Sequence, residues 1–498
     1  FKSTAFQEVG AANSFQILIS STEPEYFDID MGYGPVELEV VPATVVDGYL
    51  VGTFVSCHMN EEGVVKIYGD PSKIDVFYCQ GGYITDIDLS KCVNLDVLNL
   101  EHNALQSLDL TPNANLSAIY LTDNRGTAET PIKIGGPKNN LMILEVDIID
   151  YLDPNFDLRL YPNLISFDAY HTLCLKSVDL SNSSKLQVLS LEMTGIESID
   201  LSGAPLLGHV NVSETRVTDL DVSMLPNLQR LLCTHTSGTL NPDIKLNSID
   251  LTHNPNLFYL ALQGNNLSEL DLTKNPELIS LFLQKNNLSE LDLTNNTKLA
   301  SVDLSNNRFT FSTLPDDNPL WTEYFYNQRP YQVSRVVVKG SEMKFPEMIR
   351  PGSNTYARLI RKPVAGETEA IEDEDVYSFS ADGTLVINQT FTDSVYVEFS
   401  NTALTEYSLT TTPFMVKEAA DAGKPSPIIS FGVTSRSTTY TFKAGLDGAT
   451  AAAPRKLLVD FGDGNLEEFN VTSADAETTI SGTPKGFTVT LYDSLLNT

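Results

Sequence analysis

Residues 257–307 read LFYLALQGNNLSELDLTKNPE, LISLFLQKNNLSELDLTNNTK and LASVDLSNN. Leu257, Leu260, Leu262, Leu267, Leu270 and Leu272 return as Leu278, Leu281, Leu283, Leu288, Leu291 and Leu293, each 21 residues later. A fixed period of this length predicts a solenoid, in which one coil cannot bury its own apolar face and stacks on its neighbours to build a continuous core. The first apolar residue of each coil can be followed through Ile74, Leu95, Leu116, Leu141, Leu164, Leu186, Leu207, Leu228, Leu257, Leu278 and Leu299, which makes eleven coils. Longer steps mark insertions around Arg125 to Lys138 and Ser237 to Lys245, which should bulge from the stack without breaking it.

The repeat is L-x-x-L-x-L-x-x-N-x-L-x-x-L-D-L. It resembles leucine-rich repeats, and the short coil is similar to that of bacterial internalin-like surface proteins. The eighth position after the first leucine is Asn103, Asn124, Asn265, Asn286 and Asn307, but Thr172, Thr194, Thr215 and Thr236 in the middle coils. Either side chain can satisfy buried backbone groups at a turn. The predicted fold class is mainly β, a leucine-rich-repeat solenoid of about eleven coils flanked by β-sandwich domains.

Residues 1–72 lack the repeat and alternate in short runs (FQILI, VELEV, VVKIY) between turns, which predicts a β-sandwich cap over the first coil. The solenoid is assigned to 73–325. Residues 326–417 alternate again, with Asp382-Gly383 as a hairpin turn, and predict an immunoglobulin-like sandwich. Trp321, Tyr324, Phe325, Tyr326 and Tyr331 read as a cap packing the last coil onto it. Glu418 to Pro427 reads as a linker. Residues 418–498, with KLLVDFGDG, resemble PKD-type modules and repeat the N-terminal domain: Asp30-Met31-Gly32-Tyr33-Gly34 and Val64 to Tyr68 match Asp460-Phe461-Gly462-Asp463-Gly464 and Thr488 to Tyr492.

The 498 residues carry 65 acidic and 32 basic side chains, a formal net charge of −33. Nucleic acid and anionic membrane would be repelled, whereas a basic or cation-bridged partner would not. No apolar run approaches the ~18 residues needed to cross a bilayer. The chain begins at Phe1 without Met, so an export segment is expected to precede it. Five cysteines cannot all pair. Cys79, Cys92, Cys174 and Cys233 fall on the repeat lattice and read as buried apolar thiols, and Cys57 lies outside it.

His102, His171 and His235 share one place in their coils but lie three coils apart, about 14 Å, too far to share a metal. The sequence holds no H-E-x-x-H, G-x-S-x-G or Walker-type loop. No enzyme, cofactor or metal site is expected. Asp88, Asp109, Asp179, Asp200, Asp221, Asp250, Asp271 and Asp292 form a row in the L-D-L triplets, read as turn formers, with cation attraction as the other possibility.

By the two-residue alternation of strands, the second, fourth and sixth positions of each coil face away from the core. They carry the aromatics Tyr78, Tyr120, Tyr170, Tyr259 and Phe282 and the acids Glu101, Glu145, Asp147, Asp168 and Glu192. Such rings on a rigid concave sheet suit recognition, while scattered surface aromatics need no function. The resemblance implies a secreted or bacterial cell-surface adhesion protein that binds a protein or glycan through the concave face. The other reading is a structural spacer within a surface complex.

Overall fold

A strand of only three residues recurs in each coil from the second to the last: Val97–Asn99, Ala118–Tyr120, Ile143–Glu145 and so on to Ser301–Asp303. The middle residue of each is Leu, Ile, Phe or Val and points into the stack. Leu98, Leu260, Leu281 and Val302 have no exposed surface. The strands pair in parallel without slippage, for example Tyr259↔Ser280, Leu260↔Leu281 and Ala261↔Phe282. One-residue registry of this kind is enforced because a slip would turn every buried side chain outward.

The computed structural model describes residues 2–3, 14–46, 49–58, 63–235, 244–316, 318–363, 367–373, 375–418, 427–432, 440–444, 455–460, 466–471, 478–482 and 488–493. Thr236, the insertion from Ser237 up to residue 243, linker residues 419–426 and Phe461-Gly462-Asp463-Gly464 lie outside them. Two units are distinguished, 1–309 with 313–328, and 310–312 with 329–498.

In the first unit a fourteen-stranded sheet runs through all eleven coils. It is extended at the N-terminal end by Ser14–Ser21, antiparallel to Ile74–Tyr78, and then by Thr53–His58. At the other end a twelfth coil strand, Glu323–Phe325, pairs with Ser301–Asp303. The insertion after Arg125 sits behind the sheet, where Ile132–Lys133 pairs with Leu108–Asp109. The predicted aromatic cap divides: Trp321 packs on Tyr324 and Tyr324 on Tyr326 at the end of the stack, whereas Tyr331 packs on Phe345 in the second unit.

Buried polar ladders hold the coils. Asn286 Nδ2 donates to the Leu262 carbonyl of the preceding coil and to Leu283 of its own, while its Oδ1 accepts from the Leu267 N–H. Thr172 bridges coils through the Val146 carbonyl, but Thr194 and Thr215 bond only to their own coils, at Leu191 and Val212. A second ladder runs along Asn113, Asn254, Asn275 and Asn296. The fully buried Lys138 joins it, donating to Leu110 O at 2.8 Å and Asn113 O at 3.1 Å, and burial pulls its ammonium down to about 8.

The second unit contains the sheets Glu369–Ala370, Thr355–Lys362, Ser394–Asn401, Leu404–Thr410 and Glu342–Lys344, Thr384–Ile387, Tyr377–Phe379, together with a parallel pair, Val336–Val338 and Met415–Lys417. Asp382-Gly383 turns between Tyr377–Phe379 and Thr384–Ile387, with Gly383 at φ 83°. Farther on, Pro427–Gly432, Thr488–Asp493, Arg455–Asp460 and Leu466–Val471 form one sheet. Here Asp460↔Thr490, Val459↔Leu491 and Leu458↔Tyr492 have the same register as Asp30↔Lys66, Ile29↔Ile67 and Asp28↔Tyr68 near the N-terminus.

Candidate functional site

Because the coil strands are in register, their outward side chains form three rows on one sheet face. Tyr259 lies on the first row. Tyr78, Tyr120, Glu145, Asp168 and Phe282 occupy the second, one aligned position along the strands. Glu101, Asp147, Tyr170 and Glu192 follow two residues later on the third. The structure thus brings all ten predicted residues onto one face. Nine are half-buried, and Tyr170 is 37% exposed.

The acids concentrate in coils two to six. Glu101 accepts from Asn99 Nδ2 at 2.8 Å, and Glu192 accepts from Asn211 Nδ2 at 2.8 Å. The Tyr170 N–H donates to both Asp147 Oδ1 at 2.8 Å and Asp168 Oδ1 at 3.1 Å, which draws these two carboxyl groups together. Burial first, and then Glu101 and Asp168, push the Glu145 carboxyl up to about 7. Burial and then the charge of Asp168 raise the Asp147 carboxyl well above the ordinary range. The phenols of Tyr120 and Tyr78 are raised as well, by burial first and by neighbouring glutamates second. This strip holds charge at a cost that a cationic ligand group would relieve.

On the back of the coils, each aspartate of the L-D-L row accepts from the N–H two residues on, as in Asp200 from Ser202 and Asp271 from Thr273, both at 2.8–2.9 Å. Hydrogen bonds from these Ser and Thr residues hold the Asp88, Asp179, Asp200, Asp221, Asp250, Asp271 and Asp292 carboxyls below the usual value. In Asp109 burial works upward but Thr111 and Lys133 outweigh it. They are turn residues.

The seventh position of the coils is left-handed at Gly81, His102, Asp123, Ile148, His171, Met193, Glu214, Gly264, Lys285 and Asn306, so the turn imposes this conformation on residues of every kind, histidine among them. Among the described residues no group of three or more His, Cys, Asp or Glu could hold a metal ion. All five cysteines are free, and burial pushes Cys57, Cys79 and Cys233 up to about 12 and Cys92 up to about 11.

Sequence reasoning passed over Arg230. It occupies the second position of coil eight, paired with His209 on one side and Tyr259 on the other. Its guanidinium carbon lies 4.4 Å from the Tyr259 ring centroid. The signal was the same alternation that placed the aromatics.

No protein-family model matches the sequence, and no curated protein matches it. Solved structures similar to it include the functional domain of InlJ from Listeria monocytogenes, described as including a cysteine ladder (18% identity, 70% of this chain, 91% of that one, TM-score 0.36). Others are the leucine-rich-repeat protein LIC12759 of Leptospira interrogans (20%, 48% and 63%, TM-score 0.41) and the Listeria internalin InlF (19%, 53% and 84%, TM-score 0.38). No helix among the described residues is long and apolar enough to cross a membrane.

Proposed function

We propose that this chain is a non-enzymatic recognition protein, secreted or held at a bacterial cell surface, that binds a protein partner through the outward face of its long sheet. The observation that carries this reading is the joining of half-buried rings and strained carboxylates on one continuous, rigid face. Tyr120, Tyr170 and Tyr259 supply desolvated contact, while Glu145, Asp168 and Glu192 steer basic groups of the partner. The flanking segments are read as modules that present this face: a β-sandwich cap, an immunoglobulin-like domain over 326–417 and a PKD-like domain over 418–498. The shared register of the Asp30 and Asp460 strands supports common ancestry of the first and last of these.

The test is kinetic. A partner captured from matrix, epithelial or bacterial-surface extracts is measured against charge-reversed Glu145, Asp168 and Glu192, and against Tyr120→Ala, Tyr170→Ala and Tyr259→Ala. Charge reversal should slow association and flatten its salt dependence, whereas Tyr170→Ala should chiefly speed dissociation. Equal binding by the sixfold variant would leave the spacer reading in its place.

A further inference from the structure

The sheet face changes character along its length. Coils two to six carry all five predicted acids, but the outward positions of coils seven to ten carry no carboxylate, and Arg230 is their one permanent cation. Arg230 makes no ion pair among the described residues, and its buried Nε has no hydrogen-bond partner. In a chain with 65 acidic and 32 basic side chains, a half-buried guanidinium with no carboxylate partner among the described residues is an exception in the charge pattern. The aromatic face of Tyr259 holds it in place, 4.4 Å away, which favours the cation but does not use its fork of donors.

Its surroundings extend the same theme. The Tyr259 and Phe282 rings lie 5.6 Å apart at 51°, an apolar step beside the cation. On the third row the Oε1 atoms of Gln263 and Gln284, in adjacent coils, are buried and accept no hydrogen bond. An apolar step beside a cationic fork matches two parts of an extended peptide: an apolar side chain and a carboxylate. The acids do not cancel this. Glu192, Asp168 and Glu145 lie two, three and four strands from Arg230, about 10–19 Å, beyond the ~8 Å screening length of physiological salt.

We propose that coils eight to ten form a carboxylate-reading subsite that takes an Asp or Glu side chain of an extended partner segment on Arg230, with an adjacent apolar side chain against Tyr259 and Phe282. This rests on the recognition reading above and sharpens it. The partner presents opposite charges about 10–19 Å apart, basic over coils four to six and acidic over coil eight. Polarity of that kind fixes the direction in which a segment lies across the strands, because reversal would set like charges together.

The full chain is titrated with 3-(4-fluorophenyl)propanoate, followed by fluorine NMR at pH 7.4 in 150 mM salt. Its primary amide and galacturonate serve as comparison probes. The carboxylate should bind about tenfold more tightly than the amide, as expected of a charge-assisted fork. Arg230→Gln should abolish that preference, Arg230→Lys should retain part of it, and Tyr259→Ala should weaken both ring-bearing probes. Thermal melting of each variant establishes that it is folded, and the lysine variant carries the comparison if the glutamine variant is not. Equal binding of acid and amide, or a preference surviving in Arg230→Gln, overturns the proposal. Tighter binding of galacturonate than of the fluorinated acid overturns it in favour of an acidic glycan. Failure here with a partner still sensitive to the acid and tyrosine variants removes the subsite alone, whereas a partner indifferent to those variants removes the recognition reading itself.

Discussion

Glu145 and Asp147 are adjacent on the outward side of coil four, and the fold holds both protons more tightly than an unfolded chain would. The folded state binds more protons than the unfolded state between the ordinary carboxylate range and the raised values, so stability falls as pH rises through that window, which for Glu145 runs from about 4.5 to about 7. Glu145→Gln with Asp147→Asn should therefore raise stability at pH 8 by about 1–2 kcal/mol, after discounting for partial exposure, and change it little at pH 4. Denaturant melts at the two pH values check this. An equal effect at both would mean that packing, not charge, dominates. Alternation in the sequence placed these two residues on the correct face. The raised proton affinity of Asp147 was not legible, because it depends on burial and on Asp168, which the Tyr170 N–H draws towards Asp147 across a coil boundary.

At the scale of a coil, the eighth-position residue decides how firmly one turn is tied to the last. Asn286 makes three buried hydrogen bonds, one of them to the preceding coil's Leu262 carbonyl, whereas Thr194 makes one, within its own coil. Asn286→Ala should cost about 2–4 kcal/mol and Thr194→Ala about 1 kcal/mol, since each buried group left unpaired carries its own desolvation penalty. Amide exchange should accordingly report earlier opening around coils six and seven than around coils nine to eleven. Uniform protection along the stack would contradict it. The exchange of Asn for Thr was visible in the sequence, but its consequence was not: only the geometry shows that Thr194 and Thr215 fail to reach back. Lys138 was hidden for a different reason. It stands three residues before Leu141, as Asn113 does before Leu116, but an insertion precedes it and a lysine is not expected where Asn113 and Asn275 satisfy backbone carbonyls.

For the molecule as a whole, the decisive question is where the solenoid ends. The repeat in the sequence fades after Asn307, yet Gln328 takes the part of one more ladder residue. Its Nε2 donates to Leu304 O at 2.9 Å and its Oε1 accepts from the Phe309 N–H at 3.2 Å, the same offsets of 24 and 19 residues that Asn307 shows toward Leu283 and Leu288. Trp321, Tyr324 and Tyr326 replace the aliphatic core of a regular coil, which is why a leucine pattern could not find the twelfth strand. A chain cut after Gln328 keeps this closing coil over Val302 and Leu304, which are fully buried, whereas a cut after residue 312 strips it away. Terminal coils of a repeat stack must hide its apolar end, so the longer fragment should be monomeric and melt cooperatively, and the shorter one should aggregate or lose protection in its last coils. Light scattering and amide exchange on the two fragments distinguish them. Equal behaviour would show that the twelfth coil is dispensable and that the stack is closed by Ser301–Asp303 itself. If the longer fragment also retains the binding of the full chain, recognition resides in the first unit, as the placement of all ten face residues and Arg230 within it requires.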